Sequence, residues 1–458
     1  MPTAKKMLMG VYFYPRGGSA HVCRATAREF ERNGFDVTIL SGSRSDLGEH
    51  ALADSFYAGL GVRPVDFTPA LRSAYPLRFS GPAGTAPMHG SYEDRPGAED
   101  PVLAGVDDEA FELQVDAWTR EMHAAGAGEA DVLYLHHLTP LNEAAARDFG
   151  GIPVLGHVHG TELLMLEQIA AGAPPDWAYA QIWAERIRGW AADCERIVVA
   201  NRQGLDRAAA ALAIDRERFV CVPNGFDPSF GPREIDRRAH WRRHLVEKPR
   251  GWRPGSPPGS VSYEEPELDA LDGTTLLYVG RFTEVKRLPL LIEGFARARP
   301  RFRDPAALVL LGGHAGEWEG EHPVDAIERL GCPDVFLAGW HGHGDLPDFL
   351  CASDVLVHAS VHEQFGQVLI EAMACELPAI AVDRAGPAEI VDDPETGWLV
   401  PPDDVDRLAE AMVEAVNDAQ GRRLRGQRAR KEVVDRYAWQ QIGRELTEIV
   451  GELAKVSG

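Results

Sequence analysis

The fold class follows from the sequence MLMGVYFYPRGGSAHVCRATAREFERNGFDVTIL, residues 7–40. It begins with an apolar run, turns at Gly17-Gly18, continues as an amphipathic helix that ends near Asn33-Gly34, and closes with a second apolar run. A strand, a helix and a second strand in this order form a βαβ unit. The stretch therefore predicts a parallel sheet.

The same alternation continues along both halves of the chain and predicts an α/β protein with two doubly wound, parallel-sheet domains. Further strands are predicted at 131–140, 152–160, 196–201 and 219–225 in the first half, and at 274–282, 307–313, 335–340, 354–360 and 378–383 in the second. We place the domains at 1–225 and 226–436. The amphipathic segment 437–458 is expected to pack back on the first domain.

Two segments interrupt this pattern. Residues 41–107 are rich in Gly, Pro, Ser and Asp, and we interpret them as an irregular excursion around one or two short strands. Residues 231–273 are charged and have a Gly-Pro-Ser centre, which predicts a domain boundary with a partly ordered insertion at about 240–272. A disordered linker is the alternative for this second segment.

Composition excludes several classes of partner. The formal net charge of −23 over 458 residues disfavours nucleic acid and anionic membranes, so an anionic ligand needs a local cationic site. No signal peptide or integral membrane segment is evident, and the six cysteines form no C-x-x-C pair. These features predict reduced thiols and a cytoplasmic protein. Nothing in the sequence indicates an oligomeric state.

The first glycine turn is a candidate ligand site. Gly17 and Gly18 follow the first strand, where backbone N–H groups at a helix start can approach a phosphate or a sugar. A turn that simply needs glycine is the alternative. The pattern is not G-x-G-x-x-G, and no acidic residue ends the second strand, so a dinucleotide-dependent dehydrogenase is disfavoured.

The stretch YVGRFTEVKRLPLLIEGF, residues 278–295, places cations directly after a strand. Gly280 and Arg281 follow the apolar run, and Lys286, one of only six lysines, stands at the next helix start. A lysine there opposes the helix dipole, which favours a ligand-binding role over a solvated basic patch.

The stretch SVHEQFGQVLIEAMA, residues 360–374, places two glutamates around a glycine turn. Glu363 lies in the loop after a strand, Gly366 forms the turn, and Glu371 lies about one turn inside the next helix. Carboxylates there can accept hydrogen bonds from paired hydroxyls. Helix capping is the alternative for Glu363, whereas Glu371 is too deep in the helix to be a cap.

Histidines cluster at strand ends. His157 and His159 share one face of a strand, which suggests a metal, but the other candidate ligands lack metal-site spacing. We therefore expect no metal site, and we expect hydrogen-bonding histidines at a sugar site. His136, His157 and His358 are interpreted as core or loop residues.

Five motifs together resemble those of a known family. They are EQFGQVLIE (363–371), GRFTEVKRLPLLIEGF (280–295), PRGG (15–18), VHGTE (158–162) and PNGFD (223–227). In this order and spacing they resemble the retaining GT-B glycosyltransferases of family 4. The resemblance covers most of the chain, and the pair of glutamates separated by seven residues is its most specific part.

The resemblance implies a GT-B fold, in which two Rossmann-like domains face a central cleft. The first domain lies on the acceptor side and the second binds a nucleotide-sugar donor. By position, the catalytic residues implied are Arg281 and Lys286 at the donor diphosphate, and Glu363 and His159 at the donor sugar. The donor-binding positions implied are Gly17, Gly18, Gly280, Trp340, His341, Phe365, Gly366, Gln367, Val368 and, at the ribose, Glu371. The acceptor-side positions are His137, Thr161 and Glu162.

The implied activity is retaining transfer of a hexose-type sugar from a nucleoside-diphosphate sugar to a small soluble acceptor: a sugar, a polyol, a thiol or a natural-product intermediate. No metal and no pyridoxal phosphate are expected. The base, the sugar and the acceptor are left open. Two alternatives share the implied fold: a nucleotide-sugar epimerase and a non-catalytic nucleotide-sugar-binding protein. Arg287 departs from the family, which often has glycine after the lysine.

Overall fold

The chain divides into two compact units. The computed structural model describes residues 4–93, 99–363, 365–391 and 395–456, with the backbone alone for 455 and 456. Gln364, inside the predicted glutamate motif, lies outside the described residues. One unit comprises residues 1–224 and 439–458, and the other comprises 225–438.

The first unit is built on a seven-stranded parallel sheet. Its strands are β1 (Lys5–Val11), β2 (Phe35–Ser43), β3 (Gly61–Asp66), β4 (Val132–His136), β5 (Val154–His157), β6 (Arg196–Val199) and β7 (Phe219–Cys221). Their spatial order is β3-β2-β1-β4-β5-β6-β7. The connections therefore reverse direction between β1 and β4, the point where ligands bind in doubly wound sheets.

Helices cover both faces of this sheet. They are α1 (Gly18–Arg32), α2 (Ala53–Phe56), α3 (Thr68–Leu71), α4 (Asp108–Ala124), α5 (Pro140–Asp148), α6 (Thr161–Gly172), α7 (Ala180–Asp193) and α8 (Gln203–Leu212). All five residues of β4 are buried, which explains why the four residues before His136 are a continuous apolar run rather than an alternating one.

The second unit is built on a six-stranded parallel sheet. Its strands are β8 (Thr274–Val279), β9 (Ala306–Leu311), β10 (Val335–Gly339), β11 (Val355–His358), β12 (Ala379–Val382) and β13 (Gly397–Val400), in the order β10-β9-β8-β11-β12-β13. Its helices are α9 (Arg237–Arg242), α10 (Leu288–Ala298), α11 (Pro323–Leu330), α12 (Leu346–Cys351), α13 (Gln367–Ala374), α14 (Ala385–Ile390), α15 (Val405–Asn417) and α16 (Ala419–Tyr437). The predicted pair of Rossmann-like parallel sheets is confirmed.

In its described residues after the end of β2, the irregular excursion of the first unit contains a single strand, β3. Its loops contribute Phe67, Met88, Tyr92 and Leu103 to the core of the unit, and all four are buried. The excursion is therefore fixed by packing, although it has little regular structure.

The insertion before β8 is packed against the second sheet. Trp241, Leu245 and Trp252 are buried, and the Trp252 indole donates a hydrogen bond to the Gly313 carbonyl at 3.0 Å. A disordered linker was the wrong alternative for this segment, because its few large apolar side chains bury enough surface to order the chain around them.

The last helix, α17 (Trp439–Val456), belongs to the first unit. Its apolar face includes Trp439, Ile442 and Leu446, which share a core cluster with Phe30 of α1. A Cβ at Gly443 would lie 2.4 Å from the Cβ of Glu29, so the two helices approach closely at that glycine. Of the helices in the described ranges, none has both the length and the apolar character needed to cross a membrane.

Candidate active site

The loop after β8 contains a glycine that has no room for a side chain, followed by two cationic residues. A Cβ at Gly280 would lie 2.6 Å from the Tyr278 hydroxyl, which donates a hydrogen bond to the Arg281 carbonyl at 2.7 Å. The path of the loop therefore leaves no room for a side chain at this position. Lys286 ends a short 3-10 turn before α10 and is partly buried, whereas Arg281 is exposed.

Lys286 forms an ion pair with Glu363. The Lys286 Nζ atom lies 2.5 Å from Glu363 Oε2, and the two side chains are 16% and 22% exposed. The pair joins the loop after β8 to the loop after β11, the two neighbouring strands at which the connections of this sheet reverse direction. The ammonium has three donors, so a diphosphate could share it with the carboxylate.

The Glu363 carboxylate is held in its charged form. Burial raises the pKa of Glu363, but the Lys286 ammonium and the His358 ring lower it more, and the net pKa lies well below the usual range. His358 Nε2 lies 3.3 Å from Glu363 Oε2, and burial lowers the pKa of His358 despite this neighbour. The cluster therefore combines an ammonium, a carboxylate and a neutral imidazole near neutral pH.

The first turn of α13 follows a left-handed glycine. Gly366 has φ +99°, and a Cβ there would lie 2.8 Å from Leu369 Cδ1, so both conformation and space favour glycine. Gln367 and Val368 occupy the first turn, where backbone N–H groups have no acceptor within the helix. Phe365 is buried, and its ring lies 5.7 Å from the Tyr437 ring.

Glu371 lies one turn into α13 and is buried. Its Oε1 atom lies 2.9 Å from His343 Nε2 and accepts a hydrogen bond from Gln367 Nε2 at 3.3 Å. Gln367 Nε2 also donates to the Gly225 carbonyl at 2.7 Å. These contacts hold Oε1 of Glu371 in place. The other carboxylate oxygen could then accept hydrogen bonds from a vicinal diol.

Trp340 and His341 differ in what they present to a ligand. Trp340 is 41% exposed and stacks on His314 with 4.7 Å between ring centroids. The His341 side chain is only 2% exposed and packs against His244 of the insertion. Burial lowers the pKa of His341 to about 4, with His244 and Arg250 contributing further. Trp340 thus offers an exposed aromatic surface, while His341 supports the loop from inside.

Gly17 and Gly18 form the start of α1 in the first unit. Gly17 has φ −149°, which any residue can adopt, and a Cβ on either glycine would meet no atom of the described residues within 4 Å. Neither backbone conformation nor packing of the described chain requires glycine here. Close approach of a ligand to the helix start would account for both residues.

A buried carboxylate organises the loop after β5. Glu162 is fully buried and accepts hydrogen bonds from the backbone N–H of Gly160 at 2.9 Å and from the Thr161 hydroxyl at 3.5 Å. Its Oε1 atom lies 2.6 Å from His137 Nδ1. Burial raises the pKa of Glu162, but His137 and the backbone N–H groups lower it more, so the net pKa is below its usual value.

His159 belongs to a group of stacked histidines. Its Nε2 atom lies 3.0 Å from His136 Nδ1, and its ring stacks on His157 at 4.2 Å with 16° between the planes. The Tyr134 hydroxyl lies 2.8 Å from His157 Nδ1. Burial, with a smaller contribution from the neighbouring histidines, lowers the pKa of His159 well below its usual value. The ring is therefore neutral near pH 7.

Two family profiles match the chain in sequence order. The profile described as "Glycosyl transferase 4-like domain" matches residues 17–225, and "Glycosyl transferases group 1" matches residues 263–432. The chain belongs to the GT-B glycosyltransferases of family 4.

Sequence relatives of this glycosyltransferase include two bacterial enzymes. A D-inositol 3-phosphate glycosyltransferase from Salinispora tropica is 26% identical over 76% of this chain and 70% of the relative. An alpha-maltose-1-phosphate synthase from Mycolicibacterium smegmatis is 27% identical over 86% of this chain and 95% of the relative.

Solved structures share the fold of this glycosyltransferase. Sucrose-phosphate synthase from Thermosynechococcus elongatus matches with a TM-score of 0.68 at 17% identity, over 99% of this chain and 100% of that one. Anabaena HepE in complex with UDP-glucose matches with a TM-score of 0.66 at 16% identity, over 97% of this chain and 99% of that one.

In the structure, some of the site residues predicted from the sequence contact one another, and one contacts a residue that was not predicted. Lys286 contacts Glu363 directly, and Gln367 contacts Glu371. Sequence reasoning did not single out His343 as the partner of Glu371. It lies four residues after β10, and no motif spacing connects it to a glutamate on α13.

Proposed function

We propose that this glycosyltransferase moves a hexose-type sugar from a nucleoside-diphosphate sugar to a small soluble acceptor, with retention of anomeric configuration and without a divalent metal ion. The observation that carries the proposal is the ion pair of Lys286 and Glu363, which joins the loops after β8 and β11. The pair sets a cation for a diphosphate beside a carboxylate for sugar hydroxyls.

The charge that develops in the reaction explains the need for Lys286. The bond between the anomeric carbon and the diphosphate oxygen breaks, and negative charge grows on the diphosphate. A new bond forms between the anomeric carbon and the acceptor oxygen or sulfur, and the proton of that acceptor group passes to a diphosphate oxygen. Fixed cations stabilise this charge most where it develops. Lys286 and Arg281 fill that role in the proposal.

In this proposal the acceptor attacks the anomeric carbon from the face that the diphosphate leaves, so the anomeric configuration is retained. Glu363 and His159 then act as positioning groups rather than as nucleophiles. Glu363 is ionised and already bound to Lys286, so it accepts hydrogen bonds from sugar hydroxyls and balances the cation. His159 is neutral, and because its Nε2 atom already lies 3.0 Å from His136 Nδ1, it has Nδ1 left to offer to the sugar.

The nucleotide is assigned to α13. Glu371 accepts hydrogen bonds from the ribose hydroxyls through the oxygen that His343 and Gln367 leave available. The backbone N–H groups of the first turn, at Gln367 and Val368, face the diphosphate. A relative in fold binds UDP-glucose, which supports this class of donor.

The acceptor is proposed to be a small polar molecule such as a sugar, a polyol, a thiol or a natural-product intermediate. One relative is named for inositol 3-phosphate and the other for the maltose 1-phosphate that it makes, and both are small polar compounds.

A donor panel in the presence of EDTA tests the proposal. UDP-, GDP-, ADP- and dTDP-sugars are added to the full chain, and both the melting temperature and slow donor hydrolysis are measured. We expect one nucleotide to stabilise the protein and its sugar to be released without metal, with the same anomeric configuration by NMR. Activity that EDTA abolishes and Mg²⁺ restores would contradict the metal-independent mechanism.

A further inference from the structure

Three histidines of the first unit converge although the sequence separates them. His136 ends β4 and His157 ends β5, and the two residues are paired in the parallel register. His159 follows two residues later, and one ligand atom from each of the three lies within 4.8 Å of the other two. We propose that His136, His157 and His159 form a binding site for a divalent transition-metal ion, with zinc as the probe.

Two of the ring nitrogens need a partner that the described residues do not supply. The Nε2 atoms of His136 and His157 are buried and have no hydrogen-bond partner among the described residues. The two residues are 0% and 2% exposed. A buried polar atom without a hydrogen-bond partner is unfavourable. Imidazole nitrogen is a common protein ligand for zinc, copper and nickel, so a metal ion would satisfy both atoms.

The surroundings suit a bound cation in two further ways. Tyr134 lies 2.8 Å from His157 Nδ1, and a donor bond from that nitrogen to the phenol oxygen leaves Nε2 as the ligand atom. Glu162 is an ionised, fully buried carboxylate 2.6 Å from His137, whose ring lies 4.5 Å from the His159 ring. This carboxylate provides negative charge close to the cluster.

The rings are stacked rather than convergent, which sets the expected strength of binding. His136 and His159 lie 5.3 Å apart at 17°, and His157 and His159 lie 4.2 Å apart at 16°. At least one ring must turn before the lone pairs point at a common ion, and the hydrogen bond between His136 and His159 is then lost. We expect micromolar rather than structural zinc affinity.

A bound ion would engage His159 and withdraw it from the sugar, so zinc is expected to inhibit turnover. This consequence rests on the proposed function, whereas metal binding does not.

The test uses the full chain freed of metal. Cobalt is added first, because tetrahedral Co²⁺ gives strong visible bands, and zinc is then added to displace it. We expect about one equivalent of each metal to bind, and the bands to be lost in His157→Gln and kept in His50→Gln, whose histidine is exposed. Absence of the bands, or bands that persist in His157→Gln, would overturn the proposal.

A second measurement covers the possibility that His157→Gln does not fold, which its circular dichroism would show. X-ray absorption of the zinc-loaded wild-type protein counts imidazole ligands directly. Three imidazoles support the site, and two or fewer overturn it. Zinc binding without inhibition of turnover would keep the metal site and count against the proposed role of His159, so the two proposals fail separately.

Discussion

The two units differ in charge at corresponding places in their sheets: one unit has a charged pair there, and the other has neutral histidines. β4 and β11 each pair with the first strand of their own sheet, at the point where the connections reverse direction. After β8 and β11, Lys286 and Glu363 form a charged pair, whereas the clustered histidines at the ends of β4 and β5 are neutral. The topology of each sheet therefore determines where a site can lie, and the residues at that place determine whether the site is charged or is lined by neutral imidazole nitrogens.

Removal of the cation in the second unit is the largest expected effect. Lys286→Ala should lower turnover by about 100- to 1,000-fold, because one preorganised donor to the developing diphosphate charge is lost. The unfolding free energy should fall by only about 1–3 kcal/mol, from the carboxylate left without its partner. Steady-state kinetics and urea unfolding measure the two effects.

The matched control for that lysine is Lys248→Ala, which removes an exposed lysine from the insertion. It should leave turnover within twofold of wild type. Equal losses in the two variants would show that general charge, rather than the position of Lys286, matters.

Loss of the buried carboxylate on α13 should weaken nucleotide binding. Glu371→Ala removes the hydrogen bonds proposed for the ribose, and bonds of this charged kind contribute about 1.5–3 kcal/mol, or roughly 10- to 150-fold in affinity. Calorimetric titration with the nucleoside diphosphate of the preferred donor measures this loss of affinity. Glu317→Ala, at an exposed glutamate of the same unit, should bind as wild type.

Acid should destabilise the neutral histidine cluster before it affects the ion pair. His157 has a pKa of about 3 when folded, against about 6.5 when unfolded. Below pH 6.5 the unfolded chain therefore binds more protons, and stability falls by about 1.4 kcal/mol per pH unit for such a histidine. The depressed pKa of Glu363 gives stability that is lost only below about pH 4.3.

Urea unfolding at pH 7.5, 6.5 and 5.5 measures this slope. His157→Gln should make it shallower, and His50→Gln should not change it. An unchanged slope in His157→Gln would mean that the cluster is already protonated in the folded protein.

The smallest expected effect concerns the glycine turn of the first unit. Gly18→Ala should stabilise the protein by about 0.5–1 kcal/mol, because alanine favours the helix and its Cβ meets open space. Turnover should nevertheless fall, since the methyl group lies where a ligand is proposed to approach.

Gly189→Ala in α7 makes the same change at an exposed glycine with equally open space, and it should stabilise the protein without loss of turnover. Full turnover in Gly18→Ala would remove the reason for proposing a ligand at this turn.

Most strands were predictable because parallel strands covered on both faces are apolar runs, as β4 and β9 show. β13 was not predicted, since its four residues form too short a run to stand out. The insertion was ambiguous because Trp241 and Trp252 are isolated in a charged, proline-rich segment. Their burial depends on a sheet edge that local composition does not reveal.

Individual site residues were easier to predict than their contacts. Lys286 and Glu363 each stand in a motif, but they are 77 positions apart, and only the pairing of β8 with β11 brings them together. His136 was assigned to the core because its neighbours in the cluster are on another strand. The register of β4 against β5 is what aligns it with His157.

The role of the charged pair is best measured by calorimetric titration with the nucleoside diphosphate of the preferred donor in EDTA, on wild type, Lys286→Ala and His157→Gln. We expect binding without metal that Lys286→Ala weakens at least tenfold and that His157→Gln leaves within twofold. Binding that requires Mg²⁺, or that is unaffected by Lys286→Ala, would contradict the assignment of the charged pair to the diphosphate.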